Sequence, residues 1–179
     1  MTELPSLRET VDSHGLMAKK ALGQNFLLDQ NITDKIIRSS LAARGTEDFS
    51  QEDVFEIGPG PGGLTRAVLK ANPHSLTVVE MDERCIEIMR ELQAVYGEKL
   101  NIVNGDAMKF DFGQPSTQRK SVVSNLPYNI SVPLLIVFLK QMRQFNSLTL
   151  MFQKEVAERI LAEPDNKNYG RISVLSQLV

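Results

Sequence analysis

Short apolar runs alternate with longer amphipathic stretches along most of the chain, and this alternation limits the fold more than any other feature. Repeated strand–helix units bury both faces of a sheet when the strands run parallel and the helices return over them. The runs are Val54 to Ile57, Leu76 to Glu80, Leu100 to Val103, Ser121 to Ser124 and Leu148 to Phe152. Each is short and mostly apolar, as strands covered on both sides are. Helical periodicity fills the intervals at Leu64 to Ala71, Glu83 to Val95, Val132 to Gln141 and Lys154 to Ala162, with Pro133 tolerated in a first turn. A further helix is expected over Ile32 to Ala43, with Ile36, Ile37 and Leu41 on one face, Asn31 as its cap and Gly45 as its stop. The pattern predicts a doubly wound, mostly parallel α/β sheet whose ligands gather at the carboxyl ends of the strands.

At 179 residues the chain fits one compact domain. Residues 1–18 read as a polar, flexible arm and 19–179 as the domain. The arm mixes Glu3, Arg8, Glu9 and Asp12 with no apolar core, which excludes a secretory signal. The longest apolar run, Val132 to Leu139, falls far short of the roughly 20 residues that span a bilayer, so no membrane partner and a cytoplasmic location are expected. The single cysteine, Cys85, rules out an intrachain disulfide and reads as a buried or half-buried helix position. A net charge of -2 argues mildly against nucleic-acid binding. Lys19, Lys20, Lys154, Arg159, Lys167 and Arg171 either form a basic face despite that average or are scattered solvated charge.

The residues that carry chemistry fall at the strand ends. The first run leads into Gly58-Pro59-Gly60-Pro61-Gly62-Gly63, a turn whose missing β-carbons allow tight curvature and close ligand approach. Gly58, Gly60 and Gly63 satisfy G-x-G-x-x-G, which by itself is weak and also admits a purely structural turn. Glu80 closes the second run at the separation where an acid reaches a ribose hydroxyl; the alternative is a solvent-facing strand terminus. Met81 beside it packs on an adenine face or fills the core. Asp106, beside Ala107 after the third run, suits an exocyclic amino group or serves as a turn residue.

Asn125-Leu126-Pro127-Tyr128 follows the fourth run. The Asn125 amide oxygen and a proline-constrained carbonyl, of Leu126 or Pro127, can both accept from a planar NH2 group, holding its nitrogen and opposing delocalisation of the lone pair. Tyr128 supplies a face for stacking a base, and Phe152 either closes the other side or packs in the core.

This order of motifs resembles the KsgA-type small-subunit ribosomal RNA adenine dimethyltransferases, relatives of the Erm macrolide-resistance methylases. The likeness runs from Lys20 through Val179. It is carried by Ala21-Leu22-Gly23-Gln24-Asn25-Phe26-Leu27, Glu56-Ile57-Gly58-Pro59-Gly60, Val79-Glu80-Met81-Asp82, Gly105-Asp106-Ala107 and Asn125-Leu126-Pro127-Tyr128-Asn129-Ile130. Met151-Phe152-Gln153-Lys154-Glu155-Val156 and Tyr169-Gly170-Arg171 complete the order. The resemblance implies the Rossmann-like fold of the class I S-adenosylmethionine-dependent methyltransferases. It also implies that Asn25, the Leu27 backbone, Gly58, Glu80, Asp106 and Asn125 contact S-adenosylmethionine, with Gly60, Met81 and Ala107 in the same motifs. The family continues past the position of Val179 into a last antiparallel strand pair and a helical domain, so a C-terminally truncated catalytic domain is expected.

The implied reaction is dimethylation of N6 on two adjacent adenosines near the 3′ end of small-subunit rRNA in an assembling ribosomal subunit, by a monomer. Proximity and orientation would supply most of the catalysis, on a base that is flipped or single-stranded. His14 and His74 fall in no motif and Cys85 sits on a predicted helix, so neither a metal nor a covalent nucleophile is expected. The rivals are an NAD-dependent oxidoreductase, from the literal glycine pattern, and a non-catalytic rRNA-binding assembly factor.

Overall fold

The computed structural model describes residues 4–16 and 26–178. In chain order the elements are α1 (Leu7–Ser13), α2 (Gln30–Arg44), β1 (Glu52–Ile57), α3 (Gly63–Lys70), β2 (Ser75–Glu80), α4 (Glu83–Tyr96) and β3 (Leu100–Asn104). They continue with β4 (Arg119–Asn125), α5 (Ser131–Lys140), β5 (Phe145–Met151), α6 (Lys154–Ile160) and α7 (Arg171–Gln177). The five strands form one sheet in the order β3-β2-β1-β4-β5, and every neighbouring pair is parallel.

Alternation along each strand divides the core in two. Val54, Leu76, Val78 and Val123 face a cluster with Ile37, Leu41, Val68, Ile88 and Leu92 from α2, α3 and α4. Ile57, Val79 and Val122 face the other cluster, with Leu134 and Phe138 of α5 and the rings of Phe112 and Phe145. Both sides of the sheet are thus covered, which explains runs without a polar face.

The order of strand addition reverses between β1 and β4, the position where open α/β sheets leave a crevice. Their register runs from Glu52↔Arg119 to Phe55↔Val122. Beyond it the Ser124 hydroxyl accepts from the Ile57 N–H at 3.3 Å and donates to the Ile57 carbonyl at 2.8 Å. A side chain thereby satisfies both backbone groups where the strands open.

Four local expectations differ from what is observed. The arm expected to be flexible carries α1, with Leu7, Val11 and Leu16 buried. A reciprocal Ser6–Glu9 capping box starts it, and Arg66 of α3 donates to the Pro5 carbonyl at 2.6 Å and the Thr10 hydroxyl at 3.2 Å. The cap of α2 is Asp29 rather than Asn31: its carboxylate accepts from the Asn31 N–H at 2.9 Å. Strand β5 starts at Phe145, because that ring packs edge-on against Phe138 with centroids 5.6 Å apart, and it ends before Phe152. Past the last expected helix lies α7, whose Gln177 amide and Ser173 hydroxyl donate to the Ala162 carbonyl at 2.9 Å and the Arg159 carbonyl at 2.5 Å. These bonds take up carbonyls at and just beyond the end of α6.

Candidate active site

The glycine turn leaves β1 with φ of +64° at Gly58, +54° at Gly60 and +85° at Gly62, a region that side chains with a β-carbon rarely enter. Its curvature is held by the Gly58 N–H on the Val79 carbonyl at 2.9 Å and the Gly62 N–H on the Pro59 carbonyl at 3.0 Å. Close neighbours press on it from three sides. A β-carbon on Gly58 would lie 3.1 Å from Pro127 Cγ, and one on Gly60 would lie 2.8 Å from the Phe26 ring. One on Gly63 would collide with the Leu27 carbonyl oxygen.

A cavity of about 60 Å³ lies at this crevice. Leu27, Gly58, Gly60, Glu80, Asn125, Leu126, Pro127 and Tyr128, all candidates from the sequence, line it together with Phe26 and Glu56. Ligand pockets usually measure about 300 to 1,000 Å³, so the space here is narrow. The narrowing has a visible cause, since Phe26 and Leu27 lie directly against the turn.

Glu80 is buried, and its carboxylate is oriented by backbone donors. Oε1 accepts from Met81 at 2.7 Å and Asp82 at 2.9 Å, and Oε2 accepts from Gly60 at 3.4 Å. Burial pushes its pKa up, while the N–H donors pull the other way. The side chain therefore ties the ends of β1 and β2 to one point of the cavity wall.

Asn125 ends β4 opposite Met151, and the next residues form a turn in which the Pro127 carbonyl accepts from the Ile130 N–H at 3.1 Å. That carbonyl already accepts one bond from the turn. Leu126 places its side chain in the core beside Ile57, while Tyr128 lines the cavity and its carbonyl accepts from the Ser131 hydroxyl at 3.1 Å.

Four candidates do not reach the cavity wall. Met81 is 67% exposed. Asp106 turns back to accept from the Met108 N–H at 2.9 Å, and Ala107 is buried in the core. Phe152, one residue past β5, packs on the Ile57–Leu126 cluster, its core alternative. Asn25 lies outside the described residues.

Glu56 stands in the first motif, and its burial could not be read from the sequence. It is 1% exposed on a central strand, with a hydrogen bond from Thr65 and with Oε2 lacking any partner among the described residues. Burial first, and the Glu80 charge as well, push its carboxyl up to about 8. An acid between Phe55 and Ile57, at the end of a central parallel strand, was the signal that could have found it. Burial likewise pushes the Cys85 thiol up to about 12, so it is a poor nucleophile. Among the described residues no three His, Cys, Asp or Glu side chains gather to hold a metal ion, and no helix is long and apolar enough to cross a membrane.

Residues 15–179 match the family model for ribosomal RNA adenine dimethylase. The chain belongs to that family. Similar curated relatives are the "Ribosomal RNA small subunit methyltransferase A" proteins of Jannaschia sp. (strain CCS1), 46% identical over 177 residues, and of Gluconobacter oxydans (strain 621H), 49% identical over 174 residues. Each alignment covers 97% of this chain but only 59% and 55% of the relative, so the chain spans somewhat over half the length of the proteins it matches. Among solved structures, a dimethyladenosine transferase from Plasmodium falciparum superposes with a TM-score of 0.70 at 32% identity, covering 84% of this chain and 51% of that one. The 23S rRNA methyltransferase ErmE gives 0.65 at 26% identity, with 85% and 55% covered. The fold of the family members is therefore the Rossmann-like one found here, and their class uses S-adenosylmethionine.

Proposed function

We propose that this chain carries the catalytic site of an S-adenosylmethionine-dependent enzyme that dimethylates N6 of adenosine in small-subunit rRNA. The observation that carries the reading is the apposition of Pro127 on Gly58, which sets the Asn125–Tyr128 loop against the glycine turn in one cavity. The names of the relatives support rRNA as the substrate class. The target in this reading is a pair of adjacent adenosines near the 3′ end, presented by an assembling subunit to a monomeric enzyme in the cytoplasm.

The residues fit the cofactor. The glycine turn is a cradle that any β-carbon would obstruct, and two buried carboxyl groups, of Glu56 and Glu80, face the space for a ligand that is cationic. Gly58 and Gly60 would give it close backbone contact, Glu80 would accept from its ribose, and Asn25, Leu27 and Asn125 would complete its contacts. Met81, Asp106 and Ala107 would serve the adenine end, which requires Asp106 to turn from its own loop toward the ligand. When bound, S-adenosylmethionine supplies an electrophilic methyl group.

The chain's part is to hold the amine. Asn125 Oδ1 and the Leu126 or Pro127 carbonyl would accept from the N6 hydrogens, with the Pro127 oxygen already accepting one bond from its turn. Such bonds keep the nitrogen lone pair out of the ring and direct it at the methyl group. Tyr128 would stack on the extruded base, worth about 1 to 3 kcal/mol, and Phe152 would support the loop from the core side.

Calorimetric titration of the chain with S-adenosylmethionine and with NADH tests the cofactor, and methyl transfer to immature small subunits and to naked rRNA tests the substrate. Binding of S-adenosylmethionine and N6-dimethyladenosine in either RNA form are expected. Binding of NADH alone would overturn the reading.

A further inference from the structure

The amino ends of β4 and β5 enclose a second depression, of about 420 Å³, at the end of the sheet away from the glycine turn. Arg119 and Lys120 line it from the start of β4, and Arg143 and Gln144 from the short 3-10 turn that leads into β5, with Gln118 and Asn146 beside them. The strand pairing is irregular at this point. Lys120 pairs with Phe145 and Ser121 with Ser147, so Asn146 is skipped, and such a bulge re-aims side chains out of the regular alternation.

Among the described residues three cations and no acid line this space. Lys120 is 8% exposed, and its ammonium donates to the Phe112 carbonyl at 3.0 Å and to the Gln114 carbonyl, two neutral acceptors. Burying an ammonium without a counter-charge is costly, because carbonyl dipoles replace only part of what water supplied. The acids nearby are engaged elsewhere. Arg44 and Ser121 take up Glu52, Ser50 donates to Asp48 at 3.0 and 2.7 Å, and the Gly113 N–H donates to Asp111 at 2.8 Å. Asp53 is held by His74 at 2.8 Å, Ser75 at 2.7 Å and Ser116. Arg119 and Arg143 are exposed, and neither guanidinium has a partner among the described residues. In a chain of net charge -2, positive potential is thus gathered in one concavity, where low-dielectric walls focus it.

We propose that this depression is a second RNA contact, in which Arg119 and Arg143 bind phosphates of the rRNA backbone and those phosphates supply the counter-charge that the buried Lys120 lacks. At about 3.3 Å per residue, Arg119 stands about 20 Å along β4 from Asn125. The two sites lie at opposite ends of the strand, so an RNA that fills both is a folded one that reaches beyond its target nucleotides. Phosphate contacts of this kind set affinity and orientation and leave the base sequence unread. The inference rests on the reading of rRNA as the substrate. It adds a surface that holds the RNA and takes no part in methyl transfer.

Titration of the chain with naked small-subunit rRNA over about 50 to 200 mM salt reads the number of phosphate contacts from the slope of log affinity against log salt. Arg119→Ala/Arg143→Ala should weaken binding and make that slope shallower by about 2, one for each arginine removed. Its thermal midpoint and its affinity for S-adenosylmethionine should match the unaltered chain, since both side chains are exposed and remote from the glycine turn. Arg8→Ala/Arg90→Ala, which removes equal charge from exposed positions on α1 and α4, should leave the slope nearly unchanged. An unchanged slope in the first variant, or the same loss in both, overturns the docking site, while rRNA binding by the unaltered chain leaves the substrate reading intact. Saturable binding of inorganic phosphate through the two arginines, with rRNA affinity unmoved, overturns it in favour of a small-anion site. A loss seen with immature subunits but not with rRNA alone overturns it in favour of a ribosomal protein. Failure of rRNA to bind the unaltered chain at any salt also overturns the docking site, and methyl transfer then decides the substrate reading separately.

Discussion

Pro127 packs its ring on Gly58, across the opening between β4 and β1, so closely that a β-carbon on the glycine would stand 3.1 Å from Cγ and 3.4 Å from Cδ. The contact sets the glycine turn against the Asn125–Tyr128 loop, the parts proposed above for the cofactor and for the base. Gly58→Ala attacks it twice, through the positive φ and through the proline. Chemical denaturation should record a loss of about 1 to 3 kcal/mol, the range for strained backbone, and titration should record weaker S-adenosylmethionine binding. Unchanged binding would uncouple the two loops.

Glu80 makes a different contribution. Removing its carboxylate in Glu80→Ala strips acceptors from the Gly60, Met81 and Asp82 N–H groups and, in the proposed reading, from the ribose. Affinity for S-adenosylmethionine should fall by about 1.5 to 3 kcal/mol, the worth of a charged-group hydrogen bond. Equal affinity in calorimetry would place the ribose elsewhere.

Asn125→Ala leaves the strand end in place while deleting the amide acceptor. Methyl incorporation into immature small subunits should drop by at least about 100-fold, as misplacement of a reacting group does, with the thermal midpoint nearly unchanged. Retained activity would assign amine positioning to the loop backbone alone.

Stability should carry the mark of Glu56. Its folded pKa of about 8 lies above the ordinary carboxylate value of 4.5, so the native state holds a proton that the unfolded chain has lost between those limits. Stability is full below about 4.5 on this account, and it declines as pH rises toward 8, by up to the order of 4 kcal/mol in total. Melting of the ligand-free protein from pH 5 to 8 should show the decline, and Glu56→Gln should lack most of it. A slope shared by both proteins would refute the assignment.

Arg66→Ala should release α1. The lost bonds to the Pro5 carbonyl and Thr10 are worth about 1 to 3 kcal/mol together. Hydrogen exchange would detect faster opening of 7–13 than of the sheet; equal protection would show that Leu7 and Val11 suffice.

The alternating architecture was legible because period-two and period-3.6 patterns are imposed by burial itself, which Val54, Val78 and Val123 illustrate on one face. The Ser6–Glu9 capping box was equally present in the sequence, yet charged neighbours gave the arm a polar look and hid the buried Leu7, Val11 and Leu16. For the site, a strand-end position predicts proximity and leaves side-chain direction open. Glu80 turned into the cavity because three N–H groups await it, whereas Asp106 closed on its own turn. Glu56 escaped notice because its surroundings, rather than its identity, make it unusual.

The Leu27 carbonyl resting on Gly63 means that two segments far apart in the chain were shaped against each other atom by atom. Swapping either one alone between homologues would bring a mismatched surface to this seam. Productive chimaeras should be those that inherit 26–28 and 58–63 from the same parent, whatever the origin of α2 between them.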